Sequence, residues 1–437
     1  MTTWLKKHYG LIFVLGMFAL NAVFWFTATP LFEQPLESTI GQWQGANVLL
    51  GFTLVFFLAT KNRFVVTLFN GLEKSYKYHR VLAMGSLLFV FVHAQFSYLI
   101  WSNFIAGLPF DGRAMGALAR NLFVGLIVLA LLAKYIKYEH WRFIHRLMII
   151  PYLAAVYHAF TLSSYPLLDF SPLSLWMIAM AATGTLSSIY MIFMYRYLAF
   201  PYQGEIVNVT RLNASVTEIE VALKSNYHFE NGQFTFIKIK GKPFNNVPHP
   251  FSLSGRKGDH LLFTIKAIGD YTQDLYETLE SGSAIALAEP LGHMTFNTHK
   301  NAQVWLAGGI GVTPFLSHLR ALEDPTQSIH LYYAVKEKAD AVHLDKLTEL
   351  AGRLPHFSYT LVEEKTDGFI DVEAIDFSEE PDILMCGPRP MALSLNKALK
   401  AKVPHLKVTF EAFSFTGTLV EDLVRLQRRW RQKLRRN

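Results

Sequence analysis

Cysteine is nearly absent from the sequence: Cys386 is the single thiol in 437 residues. One thiol excludes a disulfide within the chain, a four-thiolate iron–sulfur cluster and a cysteine-built zinc site. Metal binding by this chain must therefore rest on histidine.

Carboxylates are missing from the long apolar segments of the first 200 residues. A di-metal carboxylate site inside a helix bundle is therefore disfavoured. Basic residues outnumber acidic ones, 41 against 34, but no zinc-finger spacing or base-stacking motif accompanies them. Because the basic residues cluster beside apolar segments, the sequence indicates membrane topology and no nucleic-acid partner.

Apolar residues are abundant: they make up 51% of the chain and include 35 Phe. They concentrate before position 200, which places a domain boundary near Phe200. Two apolar stretches are shorter than the ~20 residues that span a bilayer, so we expect them to extend into polar flanks such as Trp43 and Arg120. The predicted spans are residues 10–29, 46–59, 81–101, 121–133, 143–161 and 173–198.

Loop charge predicts the orientation of these spans. The N-terminus and the loops near residues 61–80 and 134–142 are rich in Lys and Arg, whereas the alternate loops carry acidic residues. Cytoplasmic loops carry the basic excess, so both termini are expected to face the cytoplasm.

Four histidines lie on two of these spans: His79 and His93 on the third, His145 and His158 on the fifth. Histidine inside a membrane span is uncommon and indicates a functional site. The two spans run in the same direction, so each level of the membrane receives one histidine from each span. Fourteen residues of helix separate the levels by roughly 21 Å, which suits two haems with two axial imidazoles each. For any one histidine, a hydrogen-bonded packing role is the alternative.

The two histidine spacings differ in helical phase. At about 100° per residue, the spacing from His79 to His93 falls about 40° short of four turns, and that from His145 to His158 about 140° short. The fifth span therefore requires a distortion. Pro151 lies between its two histidines and is the candidate cause.

The pattern changes after Tyr202. Apolar and polar residues alternate in segments 205–209, 216–223 and 234–239, which predicts a small antiparallel barrel. After Asn301 the order becomes apolar strand, glycine turn and helix, with further strands at 329–335 and 383–386, which predicts a parallel doubly wound sheet.

A glycine turn follows the first of these parallel strands, in the stretch LAGGIGVTP at residues 306–314. Glycines let the backbone approach a diphosphate, and the following helix N-terminus supplies amide donors. A tight turn without a ligand is the alternative for such a motif on its own. The residues expected at the diphosphate are Gly308, Gly309, Gly311 and Thr313.

Three more motifs accompany this turn: residues 249–254 (HPFSLS), 265–272 (IKAIGDYT) and 386–388 (CGP). In order and spacing they resemble the ferredoxin-reductase-like flavoproteins. Together with the histidines, the chain resembles the NADPH oxidase and ferric reductase superfamily, in particular its compact bacterial NADPH oxidases, over about residues 5–415.

This resemblance implies the cofactors FAD, two b-type haems and NADPH, in a multi-domain chain of the bacterial inner (plasma) membrane. It implies an all-α six-helix transmembrane bundle (1–200), an antiparallel β-barrel FAD domain (201–300) and an α/β doubly wound NADPH domain (301–416). The residues it places at the isoalloxazine are His249, Pro250, Phe251 and Ser252, with Ser252 near the flavin N5. Those it places at the FAD diphosphate are Lys266, Gly269, Asp270 and Thr272.

The resemblance also implies the residues at the nicotinamide. Cys386, Gly387 and Pro388 would line it, and the segment 410–415 (FEAFSF) resembles the family's terminal segment, whose aromatic ring covers the flavin. We predict Phe413, over Phe415, as that ring. Ordinary packing of a last strand is the alternative for either Phe. The predicted catalytic residues are Cys386, Glu411 and Phe413.

Two features remain to be assigned. Lys336 and Lys338 follow the second parallel strand, where a lysine suits a 2′-phosphate, so NADPH is favoured over NADH despite Glu337 between them. Residues 417–437 are basic, with apolar residues at helical spacing, and predict an amphipathic helix that lies on the inner leaflet or binds a partner. A disordered end is the alternative.

The expected function is electron transfer from NADPH through FAD and two haems to oxygen, which produces superoxide. A ferric or cupric metalloreductase uses the same path and is the main alternative, and an electron-supplying subunit for a periplasmic protein or quinone is a third. The sequence carries no calcium-binding loop or regulatory domain. We therefore expect activity without an obligatory protein partner.

Overall fold

The computed structural model describes residues 2–28, 36–96, 110–132, 135–136, 138–292, 294, 296, 301–323 and 327–411. The chain divides into two compact units, a helical unit that ends at Arg196 and a β-rich unit that begins at Tyr197. Phe413, Phe415 and the predicted basic helix at 417–437 lie outside the described residues.

Among its described residues, the helical unit contains six segments that are long and apolar enough to cross a membrane. They run over His8–Ala28, Leu36–Ala59, Leu72–Phe96, Gly112–Leu131, His140–Leu162 and Pro172–Leu198. The predicted number of spans is confirmed. The helices of this unit are α1 (Thr2–Ala28), α2 (Leu36–Ala59), α3 (Arg63–Leu68), α4 (Leu72–Phe96), α5 (Gly112–Leu131), α6 (Tyr138–Arg146), α7 (Ile149–Leu162), α8 (Pro172–Ile189) and α9 (Tyr195–Leu198).

Helices α2, α4 and α5 begin well before their apolar stretches. The predicted extension of the second and fourth spans is confirmed, because α2 begins at Leu36 and α5 at Gly112. The predicted start of the third span at residue 81 was wrong, since α4 begins at Leu72. Its first two turns are polar but rich in helix-forming residues, so the helix continues where the apolar pattern has ended. His79 therefore lies inside the helix.

The fifth span contains the expected distortion. Helix α6 ends at Arg146 and α7 begins at Ile149. Between them the backbone tightens to three-residue hydrogen bonds, from Leu147 N to Ile144 O (3.0 Å) and from Ile150 N to Leu147 O (2.9 Å). Pro151 explains this position, because a proline ring clashes with the carbonyl four residues earlier, here that of Leu147.

Polar side chains inside the helical unit bond to one another. Asn21 of α1 donates to Asn47 Oδ1 of α2 (2.8 Å), and Trp176 Nε1 of α8 donates to Asn21 Oδ1 (2.9 Å). Tyr152 of α7 is fully buried and its hydroxyl lies 2.7 Å from Thr53 Oγ1 of α2. Such bonds join neighbouring helices in an apolar surrounding, where unsatisfied polar groups are costly.

The β-rich unit opens with a closed antiparallel barrel of six strands in the order β1-β2-β5-β4-β3-β6. Strands β2 and β3 coincide with the alternating segments predicted at 216–223 and 234–239. The elements are β1 (Tyr202–Asn213), β2 (Val216–Leu223), β3 (Phe234–Ile239), β4 (His249–Lys257), β5 (His260–Lys266), α10 (Asp270–Thr278) and β6 (Ala284–Leu287).

A parallel five-stranded sheet follows, in the order β11-β10-β7-β8-β9. The central strand β7 is buried along its whole length, as expected of a sheet covered on both faces. The elements are β7 (Ala302–Gly308), α11 (Thr313–Ala321), β8 (Ser328–Val335), α12 (Leu344–Arg353), β9 (Phe357–Glu363), β10 (Asp382–Cys386), α13 (Arg389–Lys402) and β11 (Val408–Glu411). The predicted fold class is confirmed.

Candidate functional site

The four histidines of the helical unit form two facing pairs. The ring centroids of His79 and His145 lie 6.1 Å apart, and those of His93 and His158 lie 5.9 Å apart. Each pair takes one histidine from α4 and one from the fifth span, as the sequence predicted. The break before α7 reorients His145 relative to His158, so both rings of this span reach their partners despite the 13-residue spacing.

Three of these histidines contact the backbone of a neighbouring helix. The Nδ1 atoms of His79, His93 and His158 lie 2.9, 2.8 and 2.9 Å from the carbonyl oxygens of Val55, Gly41 and Gly112. A carbonyl only accepts, so Nδ1 carries the proton and Nε2 keeps its lone pair. In a neutral imidazole of this tautomer, the Nε2 lone pair can bind a metal ion.

His145 is held differently. Its ring stacks on Trp141 at 4.9 Å with 12° between the planes, and among the described residues its buried Nδ1 has no hydrogen-bond partner. Trp141 in turn donates to Ala130 O at 3.4 Å. Stacking therefore fixes the plane of this ring where hydrogen bonding fixes the other three.

A cavity of about 520 Å³ lies at the His93–His158 pair. Its lining includes both histidines, Gly116, Arg113 and Arg120. This volume falls within the range of pockets that hold organic ligands and cofactors. Arg113 and Arg120 are the arginines of this lining.

In the β-rich unit, the glycine turn after β7 lies against the end of β10. A Cβ added to Gly311 would come within 2.3 Å of Cys386 O, and one added to Gly387 within 3.0 Å of Gly308 N. Gly309 has a φ of +53°, which favours glycine. The turn leads into α11, where the Thr313 hydroxyl donates to Ile310 O at 3.0 Å. The predicted diphosphate and nicotinamide residues thus meet at the carboxyl ends of adjacent strands, the usual ligand position in such sheets.

The predicted flavin residues also come together. His249 of β4 stacks on Tyr271 of α10 with ring centroids 3.6 Å apart, which joins segment 249–252 to the start of α10. There the Thr272 hydroxyl accepts from the backbone N–H of Gly269 at 3.1 Å. Ser252 is buried, and its hydroxyl has no hydrogen-bond partner among the described residues, as expected of a group placed to meet a ligand.

Cys386 and Glu411 are neighbours across β10 and β11. Burial, reinforced by the Glu411 carboxylate, raises the pKa of the Cys386 thiol well above its usual value. The thiol therefore stays protonated and is no nucleophile. Glu411 Oε1 would lie 3.4 Å from a Cβ at Gly292, beside Phe234, which pairs with Ser252. Glu411 thus lies between the predicted flavin and nicotinamide residues.

Two lysines that were predicted to bind cofactor phosphates make contacts within the protein. Lys266 Nζ lies 3.7 Å from Asp340 Oδ1, in the segment that follows β8, so its predicted contact with the FAD diphosphate competes with this ion pair. Lys336 accepts at its carbonyl from the N–H of Lys365 at 3.2 Å. Beside it, Lys365 pairs with Glu337 and lowers the pKa of that carboxyl.

Sequence reasoning missed the groups around the histidines: Gly41, Gly45, Gly112, Gly116 and Trp141. The four glycines form two pairs spaced four residues apart, in the flanks into which the second and fourth spans were expected to extend, and this spacing is a sequence signal of close helix approach. The stacking of Trp141 had no comparable signal.

Three families match this chain along its length. A ferric reductase like transmembrane component matches residues 44–156, an FAD-binding domain residues 202–314, and an oxidoreductase NAD-binding domain residues 305–397. The first contains His79, His93 and His145 and ends two residues before His158, and the other two contain the glycine turn and segment 249–252.

Curated relatives resemble the β-rich unit. The toluate 1,2-dioxygenase electron transfer component of Pseudomonas putida is 27% identical over 216 residues, which cover 46% of this chain and 64% of that protein. The propane 2-monooxygenase reductase component of Rhodococcus jostii (strain RHA1) is 28% identical over 243 residues, which cover 49% and 65%. The chain thus spans less than two thirds of either relative.

Among solved structures, the flavohemoglobin of Malassezia yamatoensis is similar with a TM-score of 0.47 at 18% identity, over 84% of this chain and 94% of that one. The FAD/NAD-binding domain of a Vibrio cholerae nitric oxide dioxygenase is similar with a TM-score of 0.44 at 17% identity, over 49% and 99%.

The six membrane-length helices, the barrel and the parallel sheet occur in the same order as the three matching families. The chain therefore belongs to the superfamily in which a ferric-reductase transmembrane domain is fused to FAD-binding and NAD-binding domains, and it is a transmembrane, NAD(P)H-dependent oxidoreductase.

Proposed function

We propose that the chain is an NADPH oxidase that forms superoxide, with FAD in the β-rich unit and two b-type haems held by the four histidines. The observation that carries this proposal is the pairing of His79 with His145 and of His93 with His158. When bound, flavin and haem supply the conversion of a two-electron hydride donor into single electrons for the acceptor.

The separation within each pair fits an iron between two imidazoles. Two metal–nitrogen bonds of about 2 Å each, with about 1 Å from nitrogen to ring centre, require about 6 Å between centroids. The observed values are 6.1 and 5.9 Å. Each histidine pair would hold one haem iron through its two imidazoles, and the haem would then pass single electrons to an acceptor that does not bind the metal.

Arg113 and Arg120 favour oxygen as the acceptor. Both line the cavity at the His93–His158 pair, where their charge attracts anions and repels free metal cations. Superoxide is an anion, and its formation from neutral oxygen is stabilised by nearby positive charge. The same arginines suit the propionates of a haem.

The β-rich unit supplies the electron donor's site. Ser252 would meet the flavin ring, the start of α10 would meet the FAD diphosphate, and Gly309, Gly311 and the start of α11 would meet the nucleotide diphosphate. Glu337, the acid that would suit a ribose hydroxyl, is paired with Lys365. Lys336 beside it carries the charge that suits a 2′-phosphate, which supports NADPH.

The basic loops of the helical unit support a plasma-membrane protein with both termini in the cytoplasm. In that orientation, His79 and His145 lie nearer the cytoplasm. His93 and His158 then lie nearer the opposite face, where the acceptor is reduced.

The acceptor is tested by reducing the full-length protein with NADPH without oxygen and then admitting air or a ferric chelate. We expect rapid haem reoxidation by air, together with dye reduction that superoxide dismutase suppresses. Slow reoxidation by air and fast reoxidation by the chelate would instead select the metalloreductase that the name of the transmembrane family suggests.

A further inference from the structure

The outer histidine pair, defined as His93 and His158, is held by two helices that carry neither ring. His93 on α4 contacts Gly41 O of α2, and His158 on α7 contacts Gly112 O of α5, at 2.8 and 2.9 Å. Each carbonyl lies within an α-helix, so the imidazole approaches a helix backbone from the side. Such an approach requires room next to the carbonyl.

That room is supplied by a glycine one helical turn further on. Gly45 follows Gly41 by four residues, and Gly116 follows Gly112 by four. A Cβ at Gly45 would lie 3.1 Å from His93 Cε1, and one at Gly116 would lie 2.5 Å from His158 Nδ1. The imidazole therefore occupies the space that a side chain would otherwise fill, more tightly at Gly116 than at Gly45.

The inner pair, defined as His79 and His145, lacks this arrangement. His79 Nδ1 contacts Val55 O at 2.9 Å, and the residue one turn beyond Val55 is Ala59, so a methyl group is tolerated there. His145 is oriented by stacking on Trp141. Of the two pairs, the outer pair is thus the one whose imidazoles occupy space left by the missing side chain of a glycine.

We propose that Gly45 and Gly116 are positioning residues for the outer haem, an inference that rests on the proposed ligation of haem by these histidines. Each lets its imidazole donate Nδ1–H to a helix carbonyl, which fixes the ring plane and leaves Nε2 towards the metal. Donation from Nδ1 also makes Nε2 a stronger electron donor, which stabilises the oxidised metal and lowers its midpoint potential. The ring planes of this pair lie 75° apart, against 55° in the inner pair.

The test compares four variants of the full-length protein in detergent. Gly45→Ala and Gly116→Ala each place a methyl group against an outer imidazole. Gly85→Ala on α4 and Gly125→Ala on α5 are matched controls, because a Cβ at either position would meet no atom within 4 Å. Haem per chain, a redox titration and the EPR g-values of the ferric protein, which respond to ring-plane orientation, are measured for each. A His79→Ala protein identifies the signal of the outer haem.

We expect both controls to match the wild type. In Gly45→Ala the outer signal should shift in g-value and its midpoint potential should rise, while the inner signal stays unchanged. Gly116→Ala should show a larger shift or lose the outer haem, which halves the haem per chain. If Gly116→Ala does not accumulate, the milder Gly45→Ala decides the question alone.

Two haems per chain with wild-type potentials and g-values in Gly45→Ala would overturn this inference and leave the proposed function intact. A shift confined to the inner haem would overturn it as well. Absence of haem from the wild-type protein would overturn the proposed function, and this inference with it.

Discussion

Three charged or titratable side chains meet inside the β-rich unit, where the barrel faces the parallel sheet. Glu218 of β2 lies 3.2 Å from Arg320 of α11, and its carboxylate lies 3.5 Å from His343 Nε2. Arg320 also donates to Ser254 O at 2.9 Å, and His343 Nε2 lies 3.0 Å from Thr264 Oγ1. The cluster joins the two predicted cofactor domains and positions one against the other.

His343 makes this cluster sensitive to pH. Burial, aided by the charge of Arg320 and opposed by Glu218, lowers the pKa of His343 from 6.5 to about 4. Between these pH values the unfolded chain binds a proton that the folded chain does not. The contribution of His343 to the free energy of unfolding is therefore fully present above pH 6.5 and is lost as the pH falls towards 4. At about 1.4 kcal/mol per pKa unit, the loss reaches about 3 kcal/mol.

A His343→Asn variant tests this contribution. Asparagine tolerates the left-handed backbone of this position, where φ is +61°, but it does not titrate. We expect the thermal unfolding midpoint of the full-length protein to drop less between pH 7 and pH 5 in the variant than in the wild type. Equal drops in the two proteins would show that His343 does not carry the pH dependence.

At the residue scale, the sequence identified candidate metal-binding residues better than it predicted which side chains contact one another. The four histidines were identified because histidine is rare in membrane spans and their spacings matched two levels. His343, Arg320 and Glu218 could not be identified, because their encounter depends on how two domains pack and leaves no local pattern. The contact of Lys266 with Asp340 was hidden for the same reason.

The broken fifth span is the element on which the inner histidine pair depends. Pro151 prevents a regular helix from Tyr138 to Leu162, and the three-residue hydrogen bonds at Leu147 and Ile150 change the rotation between His145 and His158. Without the break, the spacing of these two histidines would direct their rings to different sides of the helix.

We therefore expect Pro151→Ala to weaken the inner haem site. Restoring the backbone donor at this position allows a continuous helix, which rotates His145 away from His79 while α7 keeps His158 in place. The expected result is loss of the inner haem signal in absorbance and EPR spectra with the outer signal retained. Retention of both signals at wild-type occupancy would mean that packing, and not the proline, sets the break.

At the element scale, the sequence predicted six spans, the barrel strands and the parallel strands from periodicity and length. The helical phase between His145 and His158 predicted a distortion of the fifth span, and Pro151 indicated where the distortion occurs. The early start of α4 was missed, because a polar segment such as 73–80 looks like a loop although its residues form helices well.

On the scale of the whole molecule, the order of domains follows from composition. Apolar spans precede a barrel and a nucleotide-type sheet, so one chain joins a membrane bundle to domains that bind FAD and NAD(P)H. The identity of the acceptor does not follow from this order, because oxygen and ferric ion are reduced by the same kind of electron path. Our proposal of oxygen rests instead on residues that line the outer cavity, Arg113 and Arg120.

In the proposed function, four histidines hold two haems in a chain that also holds FAD. This arrangement is tested most directly by counting haem and flavin in the purified full-length protein and in His93→Ala, followed by reduction with NADPH without oxygen. We predict two b-type haems and one FAD per chain, full reduction of both haems by NADPH, and one haem in His93→Ala. A wild-type protein without haem, or a His93→Ala protein that keeps both haems, would contradict the account.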